Sequence, residues 1–421
     1  MEIIGDTFTR AEEVMARCRK LSTFSEDRGR LCRTFLSPPM RDCHREISAW
    51  MEALGMQSRT DAAGNLRGFY AGSELHAPRL LLGSHLDTVP NAGVYDGVLG
   101  VVLAIILLEA LNGRRLPYGI EVVGFSEEEG VRFGVPFIGS RALVDRLGDD
   151  LLSVRDASGI SVRKAIEEFS LNPAQIPEAC VAKECLGYIE FHIEQGPVLE
   201  KLGFPLAAVD SIAGQTRLQM AFLGRSNHAG TTPMDLRYDA LAGAAEFVTS
   251  VESLAWKISG LVATVGKIEA KPGATNVIAG ESRMTLDIRH RSDLTRIEAV
   301  KDLIEQAEGI AKRRGLTMEW KSMLDQRAVP MDSFLVTEIE RAIAKTGCRP
   351  HRMTSGAGHD AMILAEKVPA AMIFLRTPGG ISHDPAESVA VQDIEKAIQC
   401  GLHLLDQLAS SGELHERMCR A

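Results

Sequence analysis

The chain is poor in aromatic residues, with 3 Trp, 5 Tyr and 14 Phe in 421 residues. It also has no basic excess, since 47 Lys and Arg stand against 56 Asp and Glu for a formal charge of −9. Neither a cationic groove nor an aromatic stacking platform can be drawn from that composition, so no nucleic-acid partner is expected. Long hydrophobic runs are missing too. The longest stretch without charged or strongly polar residues, 97–108, is about half of a bilayer span, so no membrane partner is expected. Residues 1–20 mix acids and bases without an apolar block, and no secretory signal is read there. The eight Cys form no CxxC pair, which excludes a thiolate metal knuckle and leaves reduced thiols, an expectation of cytoplasmic location. What is present is a 45% hydrophobic content, enough for a large core, and 11 His whose placement becomes the question.

At ~150 residues per domain, the length implies two or three domains. The first ~70 residues read as helical, with a turn at Asp61-Ala-Ala-Gly64-Asn65. Short apolar runs at 79–83, 120–125, 188–192 and 368–375 then alternate with helical segments such as 97–110. That alternation predicts an α/β domain with a mostly parallel central sheet. Between about 213 and 329 the order changes to strand, helix, strand, strand, helix, strand, the split ferredoxin-like βαββαβ unit. The expected organisation is a catalytic domain in two parts, 1–212 and 330–421, interrupted by an inserted domain at 213–329.

Chemistry gathers at the ends of the four apolar runs. The first leads into Gly83-Ser-His85-Leu-Asp87 and then Asp96-Gly97; the second into Ser126-Glu127-Glu128-Glu129. The third ends in His192 followed by Glu194-Gln195, and the fourth runs on to His383. Ligands form sites beyond the carboxyl ends of strands in open α/β sheets. Three adjacent carboxylates repel one another unless a cation is present, although a solvated acidic turn is the simpler alternative for the triplet alone. Asp87 is placed to receive the second N–H of the His85 imidazole. Histidines and carboxylates without thiols suit Zn²⁺ or Mn²⁺, with Co²⁺ or Ni²⁺ as further candidates.

The runs GSHLDTVPNAGVYDG, FSEEEGVRF, FHIEQGPVLE, NHAGTTPMDLRYDA, TNVIAGE, LDIRH, SGAGHDA and ISHDPAE together resemble the M20-type metallohydrolases. Within these, the chain looks most like the hydantoinase/carbamoylase amidase branch, whose members cleave ureido compounds such as N-carbamoyl-L-amino acids and allantoate. The resemblance spans residues 83–387. It implies two divalent metal ions per subunit bridged by Asp96, one completed by His85 and His192 and the other by Glu129 and His383. It makes Glu128 the general base and His228 a catalytic helper that also binds substrate. Gln215, Asn276 and Arg289 match substrate-binding positions, a guanidinium fork being suited to a carboxylate. His359 and Asp87 are expected as supports beside the ligands, and Glu127 as an exposed loop acid. Arg376 departs from the family pattern. It is either a second anion contact or the partner of a nearby acid such as Asp384. The implied activity is hydrolysis of a ureido C–N bond in a small anionic substrate, with release of CO₂ and ammonia. The inserted domain resembles a lid that also forms a homodimer, with His228 and Asn276 acting across the subunit boundary. An aminoacylase or dipeptidase reading, or a ligand-binding protein on the same fold, is the alternative; HIEQGP argues against the former and the full ligand set against the latter.

Overall fold

A computed structural model describes residues 6–74 and 76–412. The chain forms two compact units. Of the described residues, the first takes in those up to 210, 331–353 and those from 359 on, and the second 211–330 and 354–358. The return segment 354–358 carries no sequence signal. It joins the second unit because Ala213 N–H donates to the Ser355 carbonyl (2.9 Å) and Arg289 Nη1 to the Gly356 carbonyl (2.6 Å).

The strands in chain order begin with β1 (Gln57–Thr60), β2 (Leu66–Tyr70), β3 (Arg79–His85), β4 (Gly119–Phe125), β5 (Cys185–Ile193) and β6 (Leu206–Ile212). Next come β7 (Gly214–Leu223), β8 (Val262–Lys271), β9 (Glu281–His290) and β10 (Thr317–Gln326). The short β11 (Val329–Pro330), β12 (Arg352–Ser355) and β13 (Ala370–Leu375) complete the set. The expectation of helix through the first ~70 residues holds for Thr7–Ser22 and Pro38–Ala53 and fails between them and after Ala53. Residues 57–70 form the antiparallel β1–β2 pair around the Asp61 turn, where the Asp61 carboxylate accepts N–H bonds from Ala63 and Asn65. A side chain that satisfies its own turn backbone favours the reversal over continued helix.

In the large sheet β4, β3, β5 and β13 lie side by side and are all parallel, flanked by antiparallel β2 and β6. All seven residues of β4 and all six of β13 are buried, as expected for parallel strands covered on both faces. From β3 the chain moves to β4 on one side, then crosses to β5 on the other. The connections therefore diverge between β3 and β5, a topological switch point where a crevice opens beyond the strand ends. Helix Val98–Ala110 is buried from Val98 through Leu108 and packs over β3 and β5. Its hydrophobicity all round reflects a core helix.

In the second unit the antiparallel order is β10-β7-β9-β8. The first and third strands lie in the middle, the arrangement of a split βαβ sheet. Helices Ala240–Lys257 and Asp293–Arg314 supply one layer of its core. Phe222, Phe247, Leu286, Ile288 and Leu303 are fully or almost fully buried there.

Candidate metal centre

The four parallel strands deliver their terminal residues to one end of the sheet. His85 is the last residue of β3, and His192 is the penultimate residue of β5. Asp96 lies in the turn before helix Val98–Ala110, hinged on Gly97 at φ +66°. A Cβ at Gly97 would stand 2.5 Å from the His85 ring, so glycine is required there both for backbone conformation and for space.

These side chains converge. Asp96 Oδ1 lies 3.3 Å from His192 Nε2 and 3.8 Å from His85 Nε2, while Oδ2 lies 3.2 Å from His383 Nε2. His383 Nε2 is also 3.4 Å from Glu129 Oε1. Ligand atoms of His85, Asp96 and His192 lie within 4.8 Å of one another, and so do those of Asp96, Glu129 and His383. The two groups share Asp96. His85, Glu128 and Glu129 form another such group, as do Glu190, His192 and His359.

The imidazole tautomers test whether a cation fits. His85 Nδ1 bonds the Asp87 main-chain carbonyl and His192 Nδ1 the Ile193 carbonyl, each at 2.9 Å. A carbonyl only accepts, so both Nδ1 atoms carry the proton and both neutral rings present a bare Nε2 lone pair. Those two Nε2 atoms face each other at 3.5 Å, beside the Asp96 carboxylate. Lone pairs and a carboxylate so disposed repel unless a positive charge sits among them. A divalent ion bound by imidazole and carboxylate meets that requirement.

The proton affinities carry the same message. Burial opposes charge on His85, but Asp87 and Asp96 outweigh it and raise its pKa to about 9. Hydrogen bonds to Asp96 and Glu129 hold His383 at about 10. Burial and then the Glu129 charge push Glu128 well above the ordinary carboxylate value, and burial lifts Glu190 to about 7. With many acids and few cations, the cluster takes up protons where ions are absent.

Several supports differ from expectation. The His85 imidazole bonds the Asp87 main chain, and its Nδ1 is 3.8 Å from the Asp87 carboxylate. That carboxylate instead accepts the main-chain N–H groups of Glu128 (3.0 Å) and Glu129 (3.1 Å). Asp87 thus aims the Glu128-Glu129 backbone. Glu127 is fully buried, correcting its reading as an exposed acid. Its Oε1 accepts N–H bonds from Arg132 (2.8 Å) and Phe133 (3.2 Å), folding the loop back on itself. Burial and the neighbouring Asp87 raise Glu127 to about 8. Arg376 forms a two-bond pair with Asp393, both at 2.8 Å, so its acid partner is Asp393 and not Asp384. His359 is buried, its ring centre 4.4 Å from that of His192.

Three residues that sequence reasoning missed hold this centre together. Glu387 Oε1 accepts the N–H groups of Tyr95 and Asp96, both at 3.1 Å, and Oε2 accepts the Ser382 hydroxyl at 3.2 Å. One carboxylate thereby ties the Asp96 turn to the His383 turn. Gln195 Nε2 lies 3.2 Å from Asp96 Oδ1 and 3.2 Å from Ser382 Oγ. Fully buried Arg33 donates from Nε to the Leu86 carbonyl and from Nη1 to those of Leu21 and Phe24, bracing the His85–Asp87 segment. The Glu in ISHDPAE was visible in the sequence, but nothing local tied it to Asp96, 291 positions away.

The remaining candidates belong to the second unit. His228 lies exposed in a loop beside Asn276, whose carbonyl accepts the Ala229 N–H at 2.9 Å. Gly230 N–H donates to His228 Nδ1 at 3.0 Å, which leaves the proton of a neutral ring on Nε2. Gln215 and Arg289 are partners in the β7–β9 register. Gln215 Nε2 donates to the Gln326 side chain (3.1 Å). Arg289 spends Nε and Nη2 on Asp287 and one Nη1 hydrogen on the Gly356 carbonyl. Of five N–H donors, that leaves one on each terminal nitrogen.

Residues 81–407 match peptidase family M20/M25/M40. The chain belongs to that family, which is metal-dependent. Among curated relatives it is 37% identical over 432 residues to "Allantoate deiminase 2" of Glycine max, covering 94% of this chain and 89% of that protein. It is also 37% identical over 366 residues to "N-carbamoyl-L-amino acid amidohydrolase" of Geobacillus stearothermophilus, covering 86% and 90%. A solved amidase of the hydantoinase/carbamoylase family from Burkholderia multivorans superposes with a TM-score of 0.90 at 28% identity, covering 95% of this chain and 98% of that one. The chain is thus an M20-family amidohydrolase of the hydantoinase/carbamoylase type. Among the described residues no helix is long and apolar enough to cross a membrane.

Proposed function

We propose that this protein hydrolyses the C–N bond of a ureido group in a small carboxylate-bearing substrate, such as an N-carbamoyl-L-amino acid or allantoate, releasing CO₂ and ammonia. The observation that carries the reading is Asp96, shared between two ligand groups with Glu128 beside them. His85, Asp96 and His192 would hold one divalent ion, and Asp96, Glu129 and His383 a second, with Zn²⁺ or Mn²⁺ the best chemical match. When bound, such ions polarise the substrate carbonyl and make water acidic enough to attack at neutral pH.

Glu128 accepts the proton of the attacking water and returns it to the departing nitrogen. Asp87 keeps that carboxylate aimed by gripping its main chain. His228, with its proton on Nε2, donates to the oxygen that gains charge as the ureido carbon becomes tetrahedral. The two unspent Arg289 donors receive the substrate carboxylate, assisted by Gln215 and Asn276. The resemblance of the second unit to a dimerisation domain extends the reading to a homodimer, which light scattering after size exclusion would register as twice the chain mass; an active monomer overturns that part.

The test is ammonia release from allantoate, ureidoglycolate, an N-carbamoyl-L-amino acid and N-carbamoyl-β-alanine, beside the matching N-acetyl amino acid. Turnover of at least one ureido compound, lost on chelation and restored by Zn²⁺ or Mn²⁺, is expected. Turnover of the N-acetyl compound alone overturns the reading.

A further inference from the structure

Away from the metal centre, a thiol and an amine from distant parts of the chain meet in the first unit. Lys367 Nζ lies 2.6 Å from Cys180 Sγ, across 187 positions of sequence. An N–H···O bond averages about 2.9 Å and sulfur is the larger acceptor. The amine and the thiol are thus in direct contact. A single shared atom between them would span that separation.

The approach is built by the fold. Cys180 ends the short 3₁₀ segment Pro173–Ala179. Arg67 Nη1 grips the Ala179 carbonyl at 2.6 Å, and Val181 N–H donates to the Leu143 carbonyl at 2.9 Å. The cysteine backbone is thus pinned on both sides. Lys367 and Val368 both donate N–H bonds to the Leu364 carbonyl at 3.0 Å, and the adjacent Glu366 pairs with Arg146. Five other thiols are poor competitors. Cys18, Cys32, Cys43 and Cys400 are buried, and burial pushes the half-buried Cys185 up to about 12. Cys180 and Cys348 are both partly accessible, and Cys180 has the Lys367 amine at its sulfur.

We propose that Cys180 and Lys367 form a site of oxidative modification, joined through one oxygen atom as a reducible Cys–S–O–NH–Lys bridge, with dioxygen as the oxidant. The balance closes with one dioxygen per bridge. After the ammonium gives a proton to solvent, the S–H bond and one N–H bond break while S–O and O–N bonds form. Sulfur and nitrogen together lose four electrons to dioxygen. One oxygen atom enters the bridge, and the other leaves as water with the two released hydrogens. The link would brace the segments that precede β5 and β13, the neighbouring parallel strands whose far ends lead to His192 and His383.

The full-length protein, purified without reductant and held in air, is digested and examined by mass spectrometry beside C180S and K367R. The expected product is a Cys180–Lys367 cross-linked peptide pair that has gained one oxygen and lost two hydrogens. It disappears on treatment with dithiothreitol and is absent from both variants. Air-held wild type should also melt at a higher temperature than the same sample after dithiothreitol, a shift that both variants lose. Recovery of Lys367 as a free amine with Cys180 unmodified or oxidised alone overturns the proposal, as does a link lacking the oxygen or one that leaves the melting temperature unmoved.

Discussion

The two units present their chemistry in opposite ways. In the first, His85 and His192 are buried at strand ends and Asp96 in the turn before a helix, and each is held by main-chain or carboxylate partners. In the second, His228 is exposed on a loop and Arg289 is largely engaged with Asp287 of its own strand. A metal centre needs donor atoms preorganised to fractions of an ångström, which only interlocked backbone can provide. Under the proposed function, His228 and Arg289 meet the substrate from the surface, and Arg289 exchanges an internal partner for the ligand.

That contrast breaks down if residues of the two kinds fail alike. The largest effect is expected from Glu128→Gln, which keeps shape but loses the proton acceptor. Turnover should fall by about 10²–10⁴-fold with metal content unchanged by elemental analysis. Near wild-type turnover in the metal-loaded variant would remove Glu128 from the mechanism. His228→Ala should lower kcat by about 10²–10³-fold, the scale of losing one oxyanion donor, again with full metal content. Metal loss in this variant would erase the distinction between the units.

Glu387→Ala should behave in the opposite sense. Removing the carboxylate that ties Asp96 to Ser382 should weaken metal affinity by about 10–100-fold, read by calorimetric titration of the metal-free protein. Unchanged affinity would mean that the Asp96 turn holds itself.

The smallest effect concerns stability in the first unit. His44 is buried against Phe169, and burial, followed by Arg33 and Arg41, lowers its pKa from 6.5 to about 3. Because the folded value lies below the unfolded one, the fold favours the neutral ring. This contribution is complete above pH 6.5 and is lost as the pH falls towards 3, by up to ~1.4 kcal/mol per pH unit. His44→Leu should flatten that acid limb in denaturant titrations at pH 7 and pH 5. An unchanged difference between the two pH values would show that His44 is not the group responsible.

Much of this was legible before folding. The runs ending at His85, Phe125, His192 and Leu375 announce buried strands because continuous apolar sequence bounded by turns has few other uses. The β7–β10 unit was legible from its alternating periods. Glu127 was not. Three adjacent glutamates look alike in sequence, and only the turn back to Arg132 and Phe133 separates the buried one from its neighbours. Arg376 was similarly open, since several acids lie within its reach along the chain and helix packing selected Asp393.

The sequence by itself determined most element types beyond residue 70 and the donor types, because periodicity and residue chemistry are local properties. Tertiary structure alone decided that two bare imidazole nitrogens face each other beside Asp96 and that Asp87 grips the Glu128-Glu129 backbone. It also decided that Glu387 joins two turns and that Cys180 meets Lys367. Each of these depends on distances between segments far apart in the chain, set by which strands become neighbours in the sheet.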